Sequence, residues 1–105
     1  MENKEAVAAL AALAQESRLA VFRLLVQNGP VGLTPGVIGE QLAVPAPTLS
    51  FHLRTLAQAG LVTAVPEGRN LRYRADMAAF NALAAFLKED CCGGQPQLCA
   101  EKERK

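Results

Sequence analysis

No stretch of this chain stays apolar over the roughly 20 residues that a bilayer span needs. The opening Met1-Glu2-Asn3-Lys4-Glu5 also lacks the basic-then-apolar layout of a secretory leader. Both absences point to a cytoplasmic protein with no membrane partner. An excess of one charge is missing too, because 11 Lys and Arg face 10 Asp and Glu for a net charge of +1. That balance speaks against a general nucleic-acid coat, whose affinity comes from many cations displacing counterions. Cysteine is absent from the first ninety residues and appears only as Cys91, Cys92 and Cys99. An odd number of thiols, all in the tail, makes no disulfide framework, and in a reducing compartment they stay free. The chain has one histidine, His52, far in sequence from any cysteine. With no glycine-rich phosphate loop and no carboxylate pair placed for a pocket, the inventory of an enzyme is missing.

The 105 residues suffice for one domain with a modest core. The first helix is expected over Ala6–Leu13, where Val7, Leu10, Leu13 and Ala14 share a face. A second should run from Glu16 or Ser17 to Gln27, with a stripe of Leu19, Phe22 and Val26 widened by Leu24 and Leu25. Asn28-Gly29-Pro30 ends it. Thr34 followed by Pro35 marks a third helix start and places proline where its missing N–H costs nothing. That helix is short, about Gly36 to Leu42, and Val44-Pro45-Ala46-Pro47 turns the chain into the next one.

The fourth helix carries most of the functional signal. In Pro47–Leu56 the leucines at 49, 53 and 56 form one stripe, and Thr48, Ser50, His52, Arg54 and Thr55 make up a polar face. These are short or cationic groups suited to phosphates and base edges in a major groove. Ala59-Gly60 stops the helix. Leu61–Val65 is β-prone, Pro66–Asn70 reads as a turn and Leu71–Arg74 alternates, so a hairpin follows. Two helices joined by a short turn and backed by a hairpin make a winged helix-turn-helix. Between Pro45 and Ala75 the charged residues are Arg54, Arg69, Arg72 and Arg74 against Glu67 alone, a local basic face on a near-neutral chain. Arg69 and Arg72 at the hairpin are candidates for minor-groove or backbone contact. Arg18 reads as readily as an ion-pair partner as a phosphate contact.

Asp76 can cap a last helix containing Met77, Phe80, Leu83, Ala84 and Leu87, with Ala79 and Phe86 apolar on another side. This helix is greasier than one core-facing stripe requires, and a symmetric dimer would bury the surplus and present two reading helices to a two-fold operator. The expectation is therefore a mainly α fold with a small β-hairpin, a dimeric winged helix-turn-helix. Residues 1–90 form the DNA-binding and dimerisation domain, and 91–105 a cysteine-containing C-terminal tail.

Taken together, these segments resemble the ArsR/SmtB metal-responsive repressors. Leu10–Leu19 is similar to that family's opening helix and turn, Leu49-Ser50-Phe51-His52-Leu53 to its reading helix, and Ala59–Val62 with Gly68–Tyr73 to its wing. The resemblance implies a homodimeric repressor that leaves double-stranded operator DNA when a toxic metal or metalloid binds. The Cys-x-Cys of the family's original arsenic sensors has no counterpart in Leu33–Val37, and the histidines of its zinc sensors have none between Asp76 and Lys88. Cys91-Cys92 with Cys99 instead resembles a branch whose arsenite site is a cysteine pair plus a third cysteine just after the last helix.

Three thiolates complete the pyramidal shell of As(III) or Sb(III), whereas a closed zinc site wants a fourth ligand. Gly93-Gly94 would let Cys99 fold back onto the pair. The implied function is an As(III)- or Sb(III)-responsive transcriptional repressor with no permanent cofactor, reading DNA through Thr48, Ser50, His52, Arg54, Arg69 and Arg72. Two alternatives stay open. One is a thiol-redox regulator in which Cys99 pairs with one of its neighbours; the other is a winged helix used only for protein contact.

Overall fold

The computed structural model describes residues 1–95. Helix α1 (Asn3–Leu13) begins three residues before its apolar pattern, and the Glu2 N–H donates to the Glu5 carboxylate at 2.8 Å. Helix α2 (Glu16–Asn28) is capped by the Gln15 side chain, which accepts from the Arg18 N–H. After it comes a 3-10 turn (Gly29–Val31) that the sequence pattern did not foretell. Helix α3 (Pro35–Leu42) starts at the expected Thr34-Pro35, although the Thr34 side chain makes no capping bond. Ala43, in the left-handed region at φ 55°, turns the chain, and the Val44 N–H donates back to the Gly39 carbonyl at 3.0 Å. Helix α4 (Ala46–Gln58) follows, with Pro47 in its first turn.

The hairpin is tighter than expected. Strands β1 (Val62–Glu67) and β2 (Asn70–Ala75) pair antiparallel with Glu67 opposite Asn70, so Pro66 and Glu67 belong to the strand and only Gly68-Arg69 turn. Gly68 sits at φ +61°. Glycine in the first central position of a two-residue loop gives a turn whose twist matches the strands. The outer edge of β2 is joined by Leu33, whose N–H and C=O bond Tyr73 in both directions at 2.8 Å. Gly32 (φ +72°) makes that approach possible, since a Cβ there would collide with the Tyr73 carbonyl. Pro66 lies on β1, where its missing N–H discourages further strand pairing.

Helix α5 (Met77–Lys88) is capped as its sequence suggests, with the Asp76 carboxylate accepting from the Ala79 N–H at 3.0 Å. A last turn, α6 (Cys91–Gly94), carries left-handed backbone at Cys92 and Gly93.

Val21, Phe22, Leu25, Ile38, Leu49, Leu53, Leu56, Leu61 and Leu83 are buried at the centre, and the Phe22 and Phe80 rings meet at 5.7 Å. Two helical faces differ from the sequence reading. In α1 the buried residues are Ala6, Ala9 and Ala12, while Val7 and Leu10 are 58% and 43% exposed. In α2 the inward stripe is Val21, Phe22 and Leu25, which leaves Leu19 and Val26 at the surface. Helix α1 packs beside α2, α4 and α5, and the side chains it buries fully there are alanine methyls, with Leu13 partly buried at its end. Val7 and Leu10 are rotated outward. No helix among the described residues is long and apolar enough to cross a membrane.

Candidate nucleic-acid interface and thiol pair

The buried face of α4 is Leu49, His52, Leu53 and Leu56, at spacings of three, one and three residues. At 3.6 residues per turn the opposite face centres on Pro47, Phe51, Arg54 and Gln58, flanked by Ser50 on one side and Thr48 with Thr55 on the other. Thr48, Ser50, Phe51 and Arg54 are all exposed. No Asp or Glu occurs between Ala46 and Gln58, so the helix itself carries no charge that repels phosphate, although Glu40 of α3 lines the same hollow as Ser50.

His52 corrects the sequence reading. Expected on the polar face, it is only 6% exposed and belongs to the leucine stripe. Its spacing of three from Leu49 and four from Leu56 already carried that signal, which its polarity obscured. Its Nδ1 has no hydrogen-bond partner among the described residues. Burial, and secondarily the Arg18 guanidinium, hold its pKa below the ordinary 6.5, favouring the neutral ring. Arg18 in turn donates its Nε to the Ala12 carbonyl at 2.7 Å, satisfying the C-terminal end of α1. That bond ties the end of α1 to the start of α2.

The arginines of the wing divide in two. Arg69 stands exposed at the turn. Arg72, also a candidate for DNA contact, is already engaged: its Nη2 lies 3.1 Å from Glu67 Oε1, and its Nη1 donates to the Gly32 carbonyl at 3.1 Å. It braces the wing against the chain that precedes α3, a positioning role that an isolated Gly68–Tyr73 motif does not reveal. Arg74 lies on the same strand face and donates to the hydroxyl of its cross-strand neighbour Thr63 at 3.3 Å.

At the far end of the chain, Cys91 and Cys92 are half-buried, with the Cys91 Sγ donating to the Cys92 Sγ at 3.6 Å. Metal–thiolate bonds are about 2.3 Å long, so sulfurs up to about 4.6 Å apart can share one soft centre. Cys99 lies outside the described residues. Among those that are described, no group of three or more His, Cys, Asp or Glu side chains is gathered for an ion.

A family model described as a helix-turn-helix domain matches residues 13–65, from the end of α1 into β1. A solved ArsR-like transcriptional regulator from Rhodococcus sp. RHA1 superposes with a TM-score of 0.76 at 30% identity, over 95% of this chain and 92% of that one. The chain belongs to the ArsR-like helix-turn-helix transcriptional regulators. The regulator is also 40% identical over 58 residues to YceK of Bacillus subtilis (strain 168), an uncharacterized HTH-type transcriptional regulator. That match spans 55% of this chain and 57% of the relative. A winged helix-turn-helix DNA-binding domain from Mycobacterium bovis, described as homodimeric and as a possible ArsR-family regulator, shares the fold. Its TM-score is 0.68 at 23% identity, over 97% of this chain and 83% of that one. The Rhodococcus and Bacillus subtilis relatives are both described as transcriptional regulators.

Proposed function

We propose that this regulator is a homodimeric repressor of a two-fold operator, and that it leaves the operator when As(III) or Sb(III) is taken up by Cys91, Cys92 and Cys99. The observation that carries the effector reading is the thiol pair, two adjacent cysteines with sulfurs 3.6 Å apart in the turn that follows α5. Arsenous acid exchanges hydroxide for thiolate and releases water, and three sulfurs fill the shell of a centre that keeps a lone pair. Cys99, seven residues beyond Cys92, is the third donor of this proposal.

Dimerisation is supported by Val7 and Leu10 on α1 and by Met77 and Leu87 on α5, all exposed on two helices that pack together. The homodimeric Mycobacterium bovis neighbour has the same fold. DNA contact falls to Thr48, Ser50 and Arg54 on α4 and to Arg69 on the wing, with Arg72 holding the wing in place. Because the first cysteine lies three residues beyond the end of α5, effector binding would draw the tail together beside the helix that would form the dimer. The changed dimer geometry then no longer matches the spacing of the operator half-sites.

The test is fluorescence anisotropy of a duplex carrying the promoter upstream of the chain's own gene, with reduced protein, followed by arsenite and separately by zinc. Release by arsenite near one equivalent per site, reversal by excess dithiol and no response to zinc are the expected results. Binding that arsenite leaves intact but an oxidant abolishes would replace this reading with a thiol-redox one.

A further inference from the structure

We propose that Phe51 reads the 5-methyl group of a thymine in the operator's major groove. This assignment rests on the DNA-binding reading above and adds a specificity residue to it. Phe51 is 54% exposed in the middle of α4. A half-exposed aromatic ring is a poor choice for a helix facing only water, and the fold does not require it, since Leu49, Leu53 and Leu56 already complete the buried stripe. Nor does it lie with the apolar groups expected to meet a second copy, which are on α1 and α5.

Its neighbours define the occupant. Arg54 is three residues on and shares the outward face, Ser50 and Thr48 flank the ring, and the helix carries no carboxylate. Such a surface tolerates phosphates and offers one large apolar group among hydrogen-bonding ones. Thymine is the base that presents an apolar group in the major groove, and Phe is among the side chains that contact its methyl. The ring is also backed, because its centroid lies 6.1 Å from that of His52, which is buried. Phe51 and Arg54 are about 4.5 Å apart along the helix axis. Arg54 suits a guanine edge, so the thymine stands within one or two base pairs of that guanine, once in each half-site.

The experiment selects duplexes from a random-core library with the full reduced chain. Each thymine of the selected sequence is then replaced singly by deoxyuridine, which removes the methyl and nothing else. The wild-type protein is expected to lose about fourfold in affinity at one thymine per half-site, the value of one buried methyl, and little at the others. Phe51→Ala, which removes the contact from both half-sites of the dimer, should bind the thymine duplex about sixteenfold more weakly and be indifferent to uridine at that position, with an unchanged urea midpoint and oligomeric state.

Wild-type affinity insensitive to every methyl overturns the assignment without any variant being made. Full methyl sensitivity retained in Phe51→Ala overturns it as well, and an altered oligomeric state in that variant would assign the ring to a second copy. Enrichment of no sequence, with no duplex bound above competitor, would remove the DNA-binding reading itself and this inference with it.

Discussion

Helix α4 turns its leucines inward and leaves Thr48, Ser50 and Arg54 in solvent, whereas α1 turns alanines inward and leaves Val7 and Leu10 outside. Both are helices of about the same length packed on one core. The difference lies in how near their neighbours come. Helix α4 is separated from the rest by whole leucine side chains, which fill the space between α2, α3 and the wing, while the buried contacts of α1 are methyl groups. The largest apolar residues of a helix thus mark what it will be buried against, which need not be its own core. In α4 that partner is the domain; in α1 it would be the second copy of the proposed dimer.

The comparison breaks most visibly at Leu53. Leu53→Ala opens a cavity beneath the reading helix and should lower stability by about 2–5 kcal/mol, read as a fall in urea midpoint with the m-value unchanged. Ala9→Leu tests the opposite limit, since overpacking the close face of α1 should cost about 1–3 kcal/mol; a neutral or stabilising result would mean that α1 is not held at methyl distance. Leu10→Glu leaves the domain's own core untouched. It should preserve helical content by circular dichroism and shift sedimentation equilibrium towards monomer, and a helix that melts instead would place Leu10 in the core.

The smallest effect concerns His52. Its folded pKa is held below 6.5, so above pH 6.5 the ring is neutral in folded and unfolded chains alike and the full stability is present. As pH falls below 6.5 the unfolded chain takes up the proton first, and the contribution is lost as pH descends to and through the folded pKa. Urea midpoints of His52→Leu should lack the part of the acid-side fall that wild type shows. An identical fall in both proteins would mean that the ring titrates as it does in water.

Most of the element order was legible because its punctuation is local: Thr34-Pro35, Asp76 and the Gly68 turn each act within a few residues. The reading helix was legible because its leucine stripe is regular. What escaped depends on distance through space. The Arg72–Glu67 pair is local to the hairpin, but that Arg72 also reaches the Gly32 carbonyl requires knowing that the wing folds back beside the chain before α3, a contact spanning forty residues. That Val7 and Leu10 face out requires knowing how near α1 approaches its neighbours. His52 differs, because its polarity suggests the outer face while its spacing of three from Leu49 and four from Leu56 places it in the buried stripe. The thiol pair was legible as chemistry, and the structure adds the 3.6 Å separation of its sulfurs.

The central claim is that the thiols in the turn that follows α5 and the reading helix are coupled through one dimer. Linkage makes this reciprocal: if effector lowers operator affinity by some factor, operator must lower effector affinity by the same factor. The most direct measurement is therefore the arsenite affinity of the reduced dimer, titrated free and again saturated with operator duplex. The account predicts weaker arsenite binding on DNA, by the factor with which arsenite weakens the operator complex. Equal affinities in the two states would contradict it.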